Sequence, residues 1–201
     1  MIDEGYTKFK VDWRQEPGVD GPGIRELDCW RKALYEAGLI GHDDKLDVGY
    51  GNLSIREADG FLISGTQTGH LPDTNADHYA RVTDVDIPGN RVACVGPVQA
   101  SSESMTHAAI YAASPAIGAV VHAHSHDLWA ASLGRIPTTS ETVAYGTPAM
   151  AEELARLIQE SDFPTKGIAA MGGHEDGLIA VGPDLETATR RMLDFAKALN
   201  A

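Results

Sequence analysis

The stretch of sequence that decides the fold is IGAVVHAHSH, residues 117–126. Its first part, residues 117–122, is a continuous apolar run of strand length, as expected for a buried central strand. Alternate side chains of a strand share one face, so His122 and His124 should point the same way. Two imidazoles at the end of such a strand are half of a site for a borderline metal such as zinc. The alternative, hydrogen-bonded histidines in a solvated loop, fits less well with the apolar run directly before them.

A third histidine, His174, lies in the glycine-rich segment GGHEDG, residues 172–177. Short apolar runs of strand length flank this segment at residues 168–171 and 178–181. Glycines between them would allow the backbone to bring one imidazole close to the histidine pair. Taken alone, the segment predicts only a hairpin turn with a surface histidine, so its role as a ligand depends on the pair.

Working outward, the chain predicts strands in adjacent pairs between helices. Hairpins are expected over residues 53–63 and 82–95, around turns that contain glycine. On the first helix, either Trp30 or Arg31 continues the apolar face. This pattern favours a mixed or antiparallel sheet flanked by helices. The predicted helices cover residues 24–38, 101–114, 147–159 and 184–199.

The domain organisation predicted from this pattern is simple. Residues 1–23 are punctuated by glycine and proline and are expected to form an N-terminal arm or loop. Residues 24–201 are expected to form one domain, without internal repeats or low-complexity segments.

Charge and composition restrict the function. The formal net charge of −13 argues against binding to nucleic acid, which requires clustered lysine and arginine. No stretch is long and apolar enough to span a membrane, and the first residues lack the apolar core of a signal peptide. Two cysteines, Cys29 and Cys94, are too few for a disulfide framework and are expected to be reduced and packed. We therefore expect a cytoplasmic protein.

The segment Ser101-Ser102-Glu103 opens a predicted helix, where free amide groups and the helix dipole favour an anion such as phosphate. Glu103 can be interpreted as a first-turn acid that stabilises the dipole, or as a catalytic group. Two glycine-rich segments, residues 49–52 and 64–69, border strands and can approach a phosphate through main-chain amides. Turns without any ligand are the simpler interpretation of both segments, unless they converge with the serines.

A family resemblance is carried by segments that occur in a defined order. They are GNLSIR (51–56), LIS (62–64), SSE (101–103), VVHAH (120–124), YGT (145–147) and GH (173–174) leading into GLI (177–179). Together they resemble the class II aldolase/adducin family, over residues 25–197. The specific part is serine-serine-glutamate followed by histidine-x-histidine at this spacing.

The resemblance implies a fold, a cofactor and an assembly. The fold would be an α/β three-layer sandwich with a central, mainly antiparallel sheet flanked by helices. A divalent metal would be bound, zinc in the first place and manganese or cobalt as alternatives. The family usually forms a homotetramer with active sites between subunits.

The resemblance also implies roles for individual residues of this sequence. Glu103 would move protons and ligate the metal before substrate binds, beside the ligands His122, His124 and His174. The Thr/Gly loop would contribute Thr68 and Gly69 when it is aligned with a gap, or Thr66 without one. The implied phosphate subsite comprises Gly51, Asn52, Thr68, Gly69, Ser101 and Ser102.

Two departures from the family pattern leave alternatives open. Relatives commonly have histidine directly before glycine, whereas here Glu175 and Asp176 intervene. Asp176 could therefore replace His174 as the ligand, and either acid could add an acid/base group. The segment before Tyr145 also lacks the tyrosine that sugar-phosphate aldolases place there to protonate the leaving aldehyde. His126 and Tyr145 are the candidates for that proton donor.

These observations predict a divalent-metal-dependent lyase, an aldolase that cleaves a small sugar phosphate such as a ketose 1-phosphate. The expected intermediate is a metal-stabilised enediolate. An epimerase, dehydratase or decarboxylase that uses the same metal site is the alternative. A non-catalytic scaffold like adducin is a third hypothesis, against which the intact His122, His124 and Glu103 count.

Overall fold

The computed structural model of the chain describes residues 6–18, 20–45 and 47–199. The strands are β1 (Lys10–Gln15), β2 (Gly41–Asp43), β3 (Val48–Tyr50), β4 (Asn52–Glu57), β5 (Gly60–Ser64), β6 (Tyr79–Asp86), β7 (Arg91–Gly96), β8 (Ala119–His124), β9 (Ile168–Ala170) and β10 (Gly177–Gly182). The helices are α1 (Pro22–Glu36), α2 (Ser104–Ala113), α3 (His126–Ser132), α4 (Pro148–Glu160), α5 (Phe163–Lys166) and α6 (Leu185–Leu199), with a 3₁₀ turn at Ala76–His78.

The main sheet has the strand order β1-β7-β6-β5-β4-β8-β10-β9. Its neighbouring strands are antiparallel except for β1 and β7, which run parallel. Both predicted hairpins are present, as β4–β5 and β6–β7, so the expectation of a mainly antiparallel sheet is confirmed. Strands β2 and β3 form a separate two-stranded ribbon.

Strand β8 lies inside the sheet, as its apolar sequence predicts. It pairs with β4 on one side and β10 on the other, and its residues are buried up to Ala123. In this register His122 lies opposite Asn52 on β4 and Ile179 on β10. With both edges hydrogen-bonded, the two faces of β8 are left to pack against helices.

The two faces of the sheet carry separate apolar cores. Val120 belongs to the core that contains residues of α2 and α4, whereas its neighbour Val121 belongs to the core that contains residues of α1 and α6. Adjacent residues of a strand point to opposite faces, so one apolar run supplies both cores. The protein is therefore an α/β sandwich of three layers, helices–sheet–helices, which confirms the predicted fold class.

Two long helices begin where the sequence predicts. The Thr147 side chain accepts a hydrogen bond from the Met150 amide (3.3 Å) in front of α4, whose first residue is proline. Asp184 accepts from the Thr187 amide (2.7 Å) in front of α6. Among the described residues, none of the helices is long and apolar enough to cross a membrane.

The prediction of an irregular arm over residues 1–23 is wrong for the part that forms β1. Phe9 is buried, and Val11 and Trp13 pack partly buried against the same core, while polar residues alternate with them. This period of two is the signal of a strand, and β1 adds to the edge of the sheet beside β7. Residues 1–5 and Val19 lie outside the described part of the chain.

The two cysteines differ in their surroundings. Cys94 is buried in the sheet, as expected, whereas Cys29 is exposed on α1. The expectation that both are packed is therefore wrong for Cys29. Both are free thiols.

Candidate metal centre

Three imidazole rings converge beside the end of β8. The ring centroids of His122, His124 and His174 are 4.8–4.9 Å apart in every pair. One nitrogen of each ring lies within 4.8 Å of the corresponding nitrogens of the others, and the Nε2 atoms of His122 and His124 are 3.0 Å apart. The structure thus brings together two neighbours on one strand and a histidine from a distant turn.

The protonation of this cluster suits a metal. The His122 Nδ1 lies 3.1 Å from the carbonyl oxygen of Leu178, to which it can donate, leaving the Nε2 lone pair directed at the cluster. Burial, together with the neighbouring imidazoles, lowers the pKa of both His122 and His124 well below the usual value. Both rings are therefore neutral near pH 7, as ligation requires.

The spacing of the donors also fits a transition metal. Two imidazole nitrogens bound to one tetrahedral zinc ion are about 3.3 Å apart, close to the 3.0 Å between the two Nε2 atoms. Three imidazole nitrogen donors form a set that suits zinc, and that cobalt also accepts. The residues present therefore fit the divalent metal that the family resemblance implies.

The turn between β9 and β10 carries His174 into the cluster. The His174 amide donates to the Met171 carbonyl (3.1 Å), and the Gly177 amide donates to the His174 carbonyl (2.9 Å). A side chain at Gly173 would overlap with the carbonyl oxygen of Val143, so glycine is required for this close approach. The His174 ring stacks on Tyr145, with centroids 4.4 Å apart and planes 22° apart.

A second tyrosine supports the histidine pair. Tyr50, at the end of β3, stacks on His124 with centroids 5.3 Å apart and planes 21° apart. The next residue, Gly51, has φ +78, and a Cβ there would lie 2.7 Å from the Ile40 Cγ1. This left-handed residue turns the chain from β3 into β4 and so places Asn52 beside His122.

Glu103 lies at the start of α2, in the same cavity as the three histidines. Its side chain is buried, and its amide donates to the Ser101 Oγ (3.2 Å). Ser102 is also buried beside it. A carboxylate and two hydroxyls thus lie beside the imidazole cluster, and the carboxylate is able to accept or donate a proton there.

The glycine-rich loop after β5 forms another wall of the cavity. Thr68 and Gly69 line it and are buried, and the Thr68 hydroxyl donates to the Gly65 carbonyl (2.9 Å). The alternative residue Thr66 lines the cavity as well. Asn52 is buried, and its Oδ1 has no hydrogen-bond partner among the described residues. The cavity brings together every predicted site residue: Gly51, Asn52, Thr68, Gly69, Ser101, Ser102, Glu103, His122, His124 and His174.

Sequence reasoning did not find what holds this loop. Arg31 on α1 is almost fully buried, and its guanidinium donates to the carbonyls of Thr68 (2.7 Å) and Leu71 (2.7 Å), and to that of Gly69 at 3.3 Å. Burial lowers the pKa of Arg31. The sequence did contain a signal for this contact, because Arg31 lies at helical spacing from Leu27 and Leu34. The spacing alone did not decide whether Trp30 or Arg31 is the buried residue.

The alternative ligand lies elsewhere. Asp176 faces His126, with 2.8 Å between Oδ1 and Nδ1, and this contact raises the pKa of His126. Glu175 belongs to the same exposed group, outside the cavity of the three histidines. Of the two candidate proton donors, Tyr145 lines that cavity, whereas His126 does not.

Comparison with known families follows the geometry of this site. The family model of the Class II Aldolase and Adducin N-terminal domain matches residues 32–201. This chain belongs to the class II aldolase/adducin family, as its motifs predict. No significant match was found among curated proteins.

Solved structures share the fold at low sequence identity. L-fuculose-1-phosphate aldolase from Thermus thermophilus is 20% identical over 88% of this chain and 90% of that chain, with a TM-score of 0.67. YgbL from Klebsiella pneumoniae, for which aldolase, epimerase and decarboxylase are the stated alternatives, is 21% identical over 89% and 86%, with a TM-score of 0.67. A sugar-phosphate aldolase from Thermotoga maritima is 16% identical over 89% and 92%, with a TM-score of 0.66.

Proposed function

We propose that this chain is a divalent-metal-dependent aldehyde-lyase that cleaves a small sugar phosphate, such as a ketose 1-phosphate. The single observation that carries the proposal is the meeting of three clustered imidazoles with a buried carboxylate in one cavity. A scaffold protein would gain nothing from neutral histidines held so close together. The aldolases among the solved relatives support the reaction class.

His122, His124 and His174 would hold the metal, zinc in the first place and manganese or cobalt as alternatives. When bound, the cation supplies Lewis-acid stabilisation of negative charge that develops on substrate oxygens as the carbon–carbon bond breaks. The stacked tyrosines, Tyr50 and Tyr145, hold two of the imidazoles in place. Because these imidazoles are already held in position, little free energy is needed to rearrange them during the reaction.

Glu103 would act as the acid/base group. As the carbon–carbon bond breaks, the hydroxyl on the leaving side loses its proton to water, and its oxygen becomes the carbonyl of the aldehyde product. The electron pair of the bond stays on the carbon next to the ketone carbonyl, and the protonated Glu103 carboxyl donates its proton to that carbon. Glu103 regains a proton from water before the next turnover. In the direction of condensation, the Glu103 carboxylate removes the same proton again. At the start of α2, the helix dipole stabilises the carboxylate that remains after the proton has been donated.

The phosphate group would bind to the other residues that line the cavity. Gly51, Asn52, Ser101 and Ser102 offer amides and hydroxyls there, and the loop at Thr68 and Gly69 contributes main-chain groups. A chain with a net charge of −13 repels an anion at long range, so these local donors are needed to bind the phosphate. Binding of the remote phosphate then orients the reacting end. We also propose the homotetramer with active sites between subunits, on the family resemblance.

The test combines metal analysis with a substrate panel. Purified protein is assayed against ketose 1-phosphates, beginning with fuculose 1-phosphate, with coupled detection of dihydroxyacetone phosphate. We expect His122→Ala to lose both metal and turnover. Glu103→Gln should keep the metal and lose about 100-fold or more of the turnover, because the proton transfer is removed while the imidazoles remain.

The product identifies the reaction class. Release of dihydroxyacetone phosphate supports the proposed lyase. An isomeric sugar phosphate would indicate an epimerase instead, loss of water a dehydratase, and release of carbon dioxide a decarboxylase. The metal site would be overturned if the purified protein contained no zinc, manganese or cobalt and if His122→Ala left this metal content unchanged. That result would support the hypothesis of a non-catalytic scaffold protein.

A further inference from the structure

The segment before β1 brings a lysine to the wall of the cavity. The Nζ of Lys8 lies 3.7 Å from the ring centroid of Tyr145. The same tyrosine stacks on His174 with centroids 4.4 Å apart. A cation and a candidate metal ligand therefore share one aromatic ring.

Lys8 also lies near the buried carboxylate. The point at which a Cβ of Gly146 would stand is 3.9 Å from the Cδ of Lys8 and 3.9 Å from the Oε1 of Glu103. The two side chains thus approach each other around Gly146, the residue that follows Tyr145. Because both distances are measured from the same point, the Lys8 Cδ and the Glu103 Oε1 are at most about 8 Å apart.

The position of Lys8 is set by the fold. Phe9 is buried in the apolar core, which anchors the chain directly after Lys8. The Asn90 side chain donates to the Lys8 carbonyl (3.0 Å), and the Lys10 amide donates to the Asn90 carbonyl (2.9 Å). The backbone on both sides is therefore tied to the sheet, and the Lys8 side chain is half-buried.

We infer that Lys8 is a positioning residue of the active site, which holds the Tyr145 ring against His174. This inference deepens the proposed function and rests on it. An ammonium over the face of an aromatic ring attracts the ring electrostatically, more strongly where water is partly excluded. A small displacement of a reacting group can cost as much as about 100-fold in rate, so the hold on His174 bears on turnover.

The experiment compares Lys8→Met with Lys8→Arg and with Lys10→Met, a matched change of an exposed lysine two residues away. In the zinc-supplemented protein, we expect Lys8→Met to lower kcat about 10-fold or more, with KM changed by less than about twofold. Lys8→Arg should stay within about threefold of the wild type, because a guanidinium also stacks on tyrosine. Lys10→Met should match the wild type.

A second measurement does not depend on turnover. Imidazole signals are recorded by nuclear magnetic resonance on histidine-labelled protein, and the His174 signal is identified by its loss in His174→Gln. We expect Lys8→Met to shift the His174 signal and Lys10→Met to leave it in place. If the panel shows no turnover but this shift appears, the proposed function fails and the positioning role stands.

The inference is overturned if Lys8→Met leaves the His174 signal and kcat as in the wild type. It is also overturned if Lys10→Met lowers kcat to the same extent, since the cause would then be a weakened β1. Thermal unfolding of each variant separates such a loss of stability from a local effect.

Discussion

At the scale of single residues, His107 is the buried histidine that no part of the proposed mechanism uses. It lies one helical turn after Glu103, and its Nδ1 is 2.7 Å from the Ser54 Oγ, which in turn lies 2.7 Å from the Tyr111 hydroxyl. The Nε2 has no hydrogen-bond partner among the described residues. Burial lowers the pKa of His107 from 6.5 to about 3. His107 is therefore neutral in the folded protein near pH 7, and its contact with Ser54 joins α2 to strand β4.

This lowered pKa predicts a loss of stability in acid. Below pH 6.5 the unfolded chain binds a proton at His107 that the folded chain does not bind until the pH approaches about 3. The free energy of unfolding should therefore fall as the pH falls between these values, by about 1.4 kcal/mol per pH unit for this residue. His107→Gln cannot titrate, so its free energy of unfolding should fall less steeply.

Urea unfolding at pH 6.5, 5.5 and 4.5, with a chelator present, measures both slopes. His122 and His124 add to the slope in the wild type and the variant alike, since burial lowers the pKa of each. The difference between the two slopes therefore comes mainly from His107, with a smaller part from its electrostatic effect on the pKa of His122. Equal slopes would show that His107 is already protonated in the folded protein.

At the scale of elements, the contact between α1 and the loop after β5 joins the outer layer of the sandwich to the cavity. The Arg31 guanidinium donates to main-chain carbonyls of that loop. The periodicity of α1 allowed either Trp30 or Arg31 on the apolar face. In the structure Arg31 is the buried residue, because carbonyl oxygens of the loop accept hydrogen bonds from its guanidinium. The position of Arg31 on the helix could be predicted from the spacing, but its contact with the loop after β5 could not.

We expect Arg31→Met to lower the free energy of unfolding by about 3 kcal/mol, because buried carbonyls lose charged donors. The loop at Thr68 and Gly69 should also lose its shape, which raises KM for the phosphorylated substrate. Lys32→Met is the matched control, since Lys32 is exposed on the same helix and pairs with Asp73. Urea unfolding and steady-state kinetics check both variants. A loss in Lys32→Met equal to that in Arg31→Met would contradict the role of the buried contacts.

At the scale of the whole molecule, the candidate metal centre ties together parts of the chain that are far apart in sequence. His122 and His124 end β8 inside the sheet, whereas His174 comes from the turn between β9 and β10. A ligand that binds this arrangement only in the folded state stabilises the whole fold. Metal binding and stability should therefore be coupled.

We expect zinc at about 100 times its dissociation constant to add about 2.7 kcal/mol of stability, which corresponds to roughly 5–10 °C in melting temperature. Removal of metal by a chelator should reverse this shift. His174→Ala should abolish the shift, because it removes one of the three donors. His126→Ala should keep it, because His126 faces Asp176 outside the cavity.

Differential scanning calorimetry with and without zinc measures these shifts. A shift that disappears in His126→Ala but persists in His174→Ala would place the metal in the exposed group of His126, Glu175 and Asp176 instead.

The sequence by itself determined the features that depend on local spacing. The apolar run of β8, both hairpins and the capped starts of α4 and α6 could be predicted, because strand and helix periods and capping side chains are local. The set of candidate site residues came from the family resemblance. Family motifs added the expectation that distant segments meet. Residue identities and their neighbours in the chain were sufficient for the predicted elements alone.

Only the tertiary structure decided which distant groups touch. It brings His174 rather than Asp176 to the pair on β8, adds β1 to the edge of the sheet, buries Arg31 against a loop and sets Lys8 over Tyr145. Each of these contacts joins residues that are far apart in the chain. Their partners depend on strand order and layer packing, which no local period encodes.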